Sequence, residues 1–290
     1  MSVTSTRQDR RAGRPRMGRK ILRQKNLFFG GLMVAIVVLV GIVAPWISPA
    51  SPYSQNLGIA LQAPSVAHLF GTDQYGRDVL ARIIFGARLS LMEIALGVGM
   101  SAVVGVPVGV VSGYYGGRVD QIITWFLDIL FAFPGIVLAL LVVSILGASL
   151  FNMLIAIAVF SVPVYGRLAR NVTLALKEVE YTEAARALGA RAGRVMFSHI
   201  LRNSLAPLIV QATLSAGTIV LTAASLSFLG LGAQPPTPEW GAMVSNGRNF
   251  LGVDTSLSLF PGLAITFAVL GFNILGDGLR DLLDPRFRSG

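Results

Sequence analysis

Tyr181-Thr-Glu-Ala-Ala-Arg-Ala-Leu-Gly189 reads as a short amphipathic helix in a chain that is otherwise a succession of apolar runs. Tyr181, Ala184, Ala185 and Leu188 fall at i, i+3, i+4 and i+7 and share one helical face, with Thr182, Glu183 and Arg186 on the other side. Gly189 is placed to end the helix, because glycine readily takes the left-handed conformation that closes one. A small, shaped polar segment between apolar stretches is a feature presented outside a bilayer. The flanking stretches then read as membrane spans.

The first apolar run, Leu27 to Ile47, carries no charge over 21 positions. A cleavable signal core has only about 7–15 apolar residues, whereas a hydrocarbon core needs about 20. The run therefore reads as a retained span. Further windows lie at Leu89–Val111, Gln121–Leu146, Leu150–Tyr165, Leu205–Leu231 and Leu259–Leu275, the fourth being short and leaning on Leu150 and Arg167 to reach the interfaces. Backbone amides in lipid have no water to bond, so each span is expected to be helical. The expectation is an all-α integral membrane protein with six transmembrane helices and both termini on one side.

Composition agrees with this class. The chain is 53% hydrophobic and 13% charged with a mean hydropathy of +0.68, against about 25% charged in soluble domains. The absence of cysteine excludes disulfides, thiolate metal sites and cysteine nucleophiles. The net charge of +10 is concentrated rather than spread, with nine basic residues in the first 25 positions, just before the first span. That arrangement points to anionic lipid rather than nucleic acid. Placing the N-tail, the 116–120 turn, the 167–204 loop and the C-tail in the cytoplasm puts 20 of the 24 basic residues there, leaving Arg77, Arg82, Arg88 and Arg248 outside. The positive-inside rule favours that orientation.

In the second span, Gly97, Ser101, Gly105, Gly109 and Gly113 recur every four residues. Such a stripe of small side chains lets another helix backbone approach closely, and Pro107 adds an expected kink. Asp128, inside the third window, reads either as a proton or substrate site or as the start of a lipid-buried helix over residues 128–146, where the helix dipole would favour its charge. Glu93 reads as an interfacial residue. His68, Asp73 and Asp78 could suggest a metal, but the neighbouring Arg77 and Arg82 oppose a cation, and no metal site is expected. Leu229-Gly-Leu-Gly-Ala-Gln-Pro-Pro-Thr-Pro-Glu-Trp-Gly241 reads as an irregular external loop with Trp240 at the membrane interface. The sequence lacks Gly-x-x-x-x-Gly-Lys-[Ser/Thr], His-Glu-x-x-His and Gly-x-Ser-x-Gly. Enzyme chemistry is not expected of this chain, and no cofactor is assigned to it.

Glu183-Ala-Ala185, with Gly189 four residues on, resembles the cytoplasmic "EAA" loop of ABC-importer permeases. Leu201 matches the family's continuation, while Arg202 stands where the family usually has proline. Gly71-Thr-Asp-x-x-Gly-Arg-Asp78 is similar to the loop after the first span in the peptide and nickel group, specifically in the second (C-type) of its two permeases, and the 229–241 run is also typical of that group. The resemblance implies a type I importer permease fold in a bacterial cytoplasmic (inner) membrane. Its parts are a basic cytoplasmic tail (1–26), a first span and external loop (27–86), a five-helix core (87–276) with a coupling loop (167–204), and a cytoplasmic tail (277–290). It implies a homologous second permease, two cytoplasmic ATPase subunits that use the ATP, and an external binding protein. Residues Tyr181, Thr182, Glu183, Ala184, Ala185, Arg186, Leu188 and Gly189 would then form the ATPase-coupling helix. Di- and oligopeptides are the expected cargo, with nickel and glutathione as alternatives within the family. A proton- or ion-conducting subunit using Asp128 and Glu93 is the alternative from another class. Ser215, Thr218, Thr222 and Ser225 are only scattered polar residues, and no pathway residue is assigned.

Overall fold

The structure, a computed structural model, describes residues 25–283. The basic tail before Lys25, and Arg286 and Arg288 at the other end, lie outside the described residues. The elements are α1 (Lys25–Ile47), a 3₁₀ turn (Leu57–Ile59), α2 (Val79–Tyr115), α3 (Gly117–Ala132), α4 (Gly135–Leu146) and α5 (Leu150–Leu176). They continue with α6 (Glu180–Ala187), α7 (Ala192–Arg194) running into a π-helical turn (Val195–Leu201), α8 (Leu205–Phe228), α9 (Trp240–Gly247), a second 3₁₀ turn (Arg248–Phe250) and α10 (Ser256–Leu283). Five helices (α1, α2, α5, α8 and α10) are each long and apolar enough to cross a membrane, and α3 with α4 supplies a sixth segment.

That sixth segment departs from the expected continuous span over Gln121–Leu146. α3 and α4 meet at a 90° bend. The cause is Pro134: its ring disfavours helical geometry in the residue before it, and Phe133 accordingly is extended at φ −88°, ψ 137°. The bend also overturns the placement of Asp128 at a helix N-terminus, since Asp128 falls in the last turns of α3. Several helices outrun their apolar windows. α2 has 37 residues, α5 has 27, and α10 continues past the exposed Asp277 to Leu283. Arg202 closes the π turn at φ −60°, within the range that a proline ring locks.

Close backbone contacts set the packing. A Cβ at Gly105 would stand 2.6 Å from the Val162 carbonyl oxygen, one at Gly113 would stand 2.7 Å from that of Arg170, and one at Gly109 would overlap the Gly166 carbonyl. α2 and α5 thus run side by side in the same direction. Gly97 meets Ile219 of α8 instead, and the Ser101 hydroxyl is turned back to donate to the Gly97 carbonyl at 2.6 Å. Glycines also join α1 to α10 in opposite directions, Gly30 against Leu275 and Gly278 against Leu27. The described chain therefore begins and ends at one end of the bundle, the end that carries α6. At the other end lie the loops of residues 48–78 and 229–255.

Three apolar clusters fill the interior. One joins Ala139 and Val143 of α4 to Met153, Leu154 and Ile157 of α5 and to Ile219, Ala223 and Leu226 of α8. A second gathers α1, α2, α9 and α10 around Trp240. The third packs Val106 and Val110 of α2 with Tyr165, Ala169 and Met196. Glu93 lies inside this packing at 1% exposure, not at an interface as its position near the window edge suggested.

Candidate functional site

α6 opens at Val179, an extended residue without a side-chain cap, so its first turn relies on Glu180 and Glu183 to complement the helix dipole. It closes at Gly189, whose φ is +81°. There the Gly189 N–H donates to Arg186 O at 2.9 Å and the Ala190 N–H to Ala185 O at 3.0 Å, the bond pair of a Schellman cap. The helix rests on the π turn, where Val195, Met196 and Ile200 are buried.

The burial of α6 does not follow its two sequence faces. Thr182 is fully buried with its hydroxyl unpartnered, whereas Glu183 and Arg186 are exposed, Arg186 donating to the Lys177 carbonyl at the surface. On the other side Tyr181 is 41% and Leu188 88% exposed, and Ala184 is exposed with them. Ala185, grouped with these three by its spacing, is half-buried. A helix with apolar residues facing outward and a polar one sealed inward is shaped for contact with something other than water.

At the opposite end, the loops are knitted to the tops of the helices. Gly71 and Gly76 take positive φ, and a Cβ at Gly76 would overlap the Asn56 carbonyl. Asp78 caps α2, accepting from the Ala81 N–H at 2.7 Å, and pairs with His68 Nδ1 at 2.8 Å. Asp73 instead takes Arg77 Nε at 2.6 Å. His68, Asp73 and Asp78 thus serve separate contacts rather than one shared site. The buried Arg82 guanidinium donates to Pro52 O at 2.9 Å and to Pro236 O at 3.2 Å, joining the loop before α2 to the loop after α8. The Trp240 indole N–H donates to Ile83 O at 3.0 Å and its ring lies on Gly86, so Trp240 is a buried anchor and not a lipid-interface residue.

Two buried acids went unnoticed or were misplaced from sequence. Glu239, 2% exposed, caps α9 by accepting from the Gly241 and Ala242 N–H groups at 2.8 and 2.6 Å. Burial pushes its carboxyl above the usual range, against the pull of those bonds. The signal was there: an acid directly before a helical stretch is a cap position. For Glu93, whose Oε1 has no partner, the sequence carried no such mark. Among the described residues no group of three or more His, Asp or Glu converges as a metal site.

Comparison with known proteins is consistent along the chain. Residues 105–289 match the model of the binding-protein-dependent transport system inner membrane component, and residues 16–64 match the N-terminal transmembrane domain of oligopeptide transport permease C. The dipeptide transport system permease protein DppC of Alkalihalophilus pseudofirmus is 48% identical over 93% of this chain and 89% of its own length. The glutathione transport system permease protein GsiD of Pectobacterium atrosepticum is 43% identical over 93% and 90%. The probable D,D-dipeptide transport system permease protein DdpC of Escherichia coli is 44% identical over 88% and 86%. A solved inward-facing structure of the MetNI methionine ABC transporter superposes with a TM-score of 0.57 at 20% identity, covering 70% of this chain and 97% of that one, which shows a shared fold. This multi-pass chain therefore belongs to the family of binding-protein-dependent transport system inner membrane components.

Proposed function

We propose that this chain is the C-type permease of an ATP-driven importer of short peptides. In that reading it pairs with a homologous permease to form half of the pathway. Two ATPase subunits supply the hydrolysis, one of them docking on α6, and an external binding protein delivers cargo at the loop-rich end. The observation that carries the coupling role is the exposure of apolar residues on α6, with Tyr181, Ala184 and Leu188 open to the surface of their own chain. The relatives named for dipeptide, D,D-dipeptide and glutathione transport support peptide cargo, since all three substrates carry amide links and charged ends.

The orientation follows from the distribution of basic residues, 20 of 24 falling on the α6 side. The chain has no native cysteine, so single cysteines report cleanly. Ser65→Cys should react with an impermeant thiol reagent in intact cells and Ala192→Cys should not; the reverse pattern would invert the topology. Function is tested by reconstituting the permease pair with its ATPases and binding protein in proteoliposomes. ATP-dependent accumulation of a labelled dipeptide is expected, and accumulation of nickel without any peptide would replace the assignment.

A further inference from the structure

Two features on one side of the bundle are not used in its packing. The first is the bend between α3 and α4. A Cβ at Gly135 would stand 3.2 Å from the Phe160 ring, and Phe160 lies ten residues into α5, about 15 Å along the helix from its Leu150 end. The bend thus falls near the middle of a hydrocarbon core about 30 Å thick. Phe131, Ala132, Phe133 and Pro134 are nevertheless all exposed, and Phe133 is extended. The last carbonyls of α3 have no further helical turn to bond them. Backbone in this state, at this depth, is tolerated where it is covered by protein or lines water, and not against lipid.

The second feature is the ion pair between Asp128 Oδ1 and Arg167 Nη2, at 2.6 Å with the side chains 54% and 42% exposed. Asp128 precedes Ala132 by four residues, so the charge and the open end of α3 share one face. The Arg167 guanidinium lies over the Phe131 ring, 4.1 Å from its centroid. A second pair on the same two helices behaves differently. Arg170 Nε and Nη2 grip Asp120 at 2.5 and 2.6 Å, Ser112 and Thr124 add hydroxyl donors, and the pair is largely enclosed. That pair is a saturated structural tie. Asp128 engages Arg167 through a single oxygen and leaves donor and acceptor capacity open to the surface.

The geometry points to a water-filled route past the α3–α4 bend, in which Asp128 and Arg167 form a two-point site for a zwitterionic substrate. Asp128 receives the substrate's ammonium group and the planar Arg167 fork its carboxylate. Phe131 keeps the guanidinium aimed along the route. This site rests on the peptide-import reading, and its test separates the two.

In proteoliposomes holding the complete complex, Ala132→Cys should react with a charged, water-soluble methanethiosulfonate. Saturating dipeptide should slow that reaction. Reaction only with a lipophilic maleimide would place the bend against lipid, and reaction with neither would place it against the partner permease; either result overturns the route. Asp128→Asn and Arg167→Gln should each lower dipeptide uptake about tenfold, as for loss of a charge-assisted bond. The double substitution, which restores local neutrality, should stay impaired. Recovery in the double variant would make the pair merely structural and overturn the site. If the parent complex carries no peptide but the charged reagent still labels Ala132→Cys, the peptide reading fails while the route stands.

Discussion

The α2–α5 seam and the helix α6 solve opposite problems with the same small residues. At the seam, Gly105, Gly109 and Gly113 have nothing beyond Cα because a backbone of the same chain already fills the space. On α6, Ala184 is small and exposed, and Tyr181 and Leu188 beside it are exposed too. A small residue in a membrane protein therefore reports a close partner without saying whether that partner is internal. What separates the two cases is the adjacent surface, sealed at the seam and apolar but open on α6. Lipid gives little drive to helix association, so the seam depends on contact distance; α6 lies at the membrane's edge, where burying apolar area in a partner is itself favourable.

The largest expected effect comes from Gly109→Leu. A side chain there meets the Gly166 backbone, which cannot move aside, and overpacking of this kind costs about 1–3 kcal/mol or more. The purified permease should melt several degrees lower in detergent or fail to accumulate, even without its partners. Normal melting combined with loss of the partner permease would show that the stripe faces outward and would erase the contrast. Next comes Leu188→Asp, together with Ala184→Trp. Both sites are exposed, so the variants should insert and melt like the parent while ATPase co-purification and substrate-stimulated hydrolysis fall about tenfold, the scale of a lost apolar anchor. Unchanged co-purification for both would sink the coupling role of α6. Gly189→Val should act more weakly, since forcing a β-branched residue to φ +81° costs about 1–2 kcal/mol at the end of a surface helix. Uptake should drop partially, with the loss growing at higher temperature. Smallest is Thr182→Val, which replaces a buried, unpartnered hydroxyl with a methyl of similar shape. Stability should stay level or rise by up to about 1 kcal/mol and uptake should persist; a large loss of uptake would mean that the hydroxyl finds a partner in the assembled complex.

The broad plan was legible because hydropathy alone specifies where a chain must be helical in lipid. Leu27–Ile47 and the later windows all mark helices of the bundle. The same averaging hid the break at Phe133–Pro134, where a single ring decides the backbone while composition stays uniformly apolar. The four-residue period of α2 indicates that some backbone comes near, but the identity of α5 as that neighbour depends on the three-dimensional arrangement. On α6 the spacing separates two faces, and only the packed π turn reveals that the inward side takes one residue from each, Thr182 and the half-buried Ala185. Trp240 and Glu93 were misplaced for a related reason. Glu93 is judged by its distance along the chain from a window edge and Trp240 by the usual place of its residue type, whereas the burial of Trp240 comes from Ile83 and Gly86, far away in sequence.

Arg82 has a consequence for biogenesis. Its guanidinium reaches Pro236 across 154 residues of sequence, and at roughly 5–20 residues per second a ribosome needs on the order of 8–30 s to make that stretch. Throughout that interval a strongly charged group at the head of the second span holds only part of its final set of carbonyls. The top of the bundle therefore cannot set before the loop after α8 has been made, and a nascent chain arrested before Pro235 should leave Val79–Phe85 more open to protease from the loop side than the full chain does.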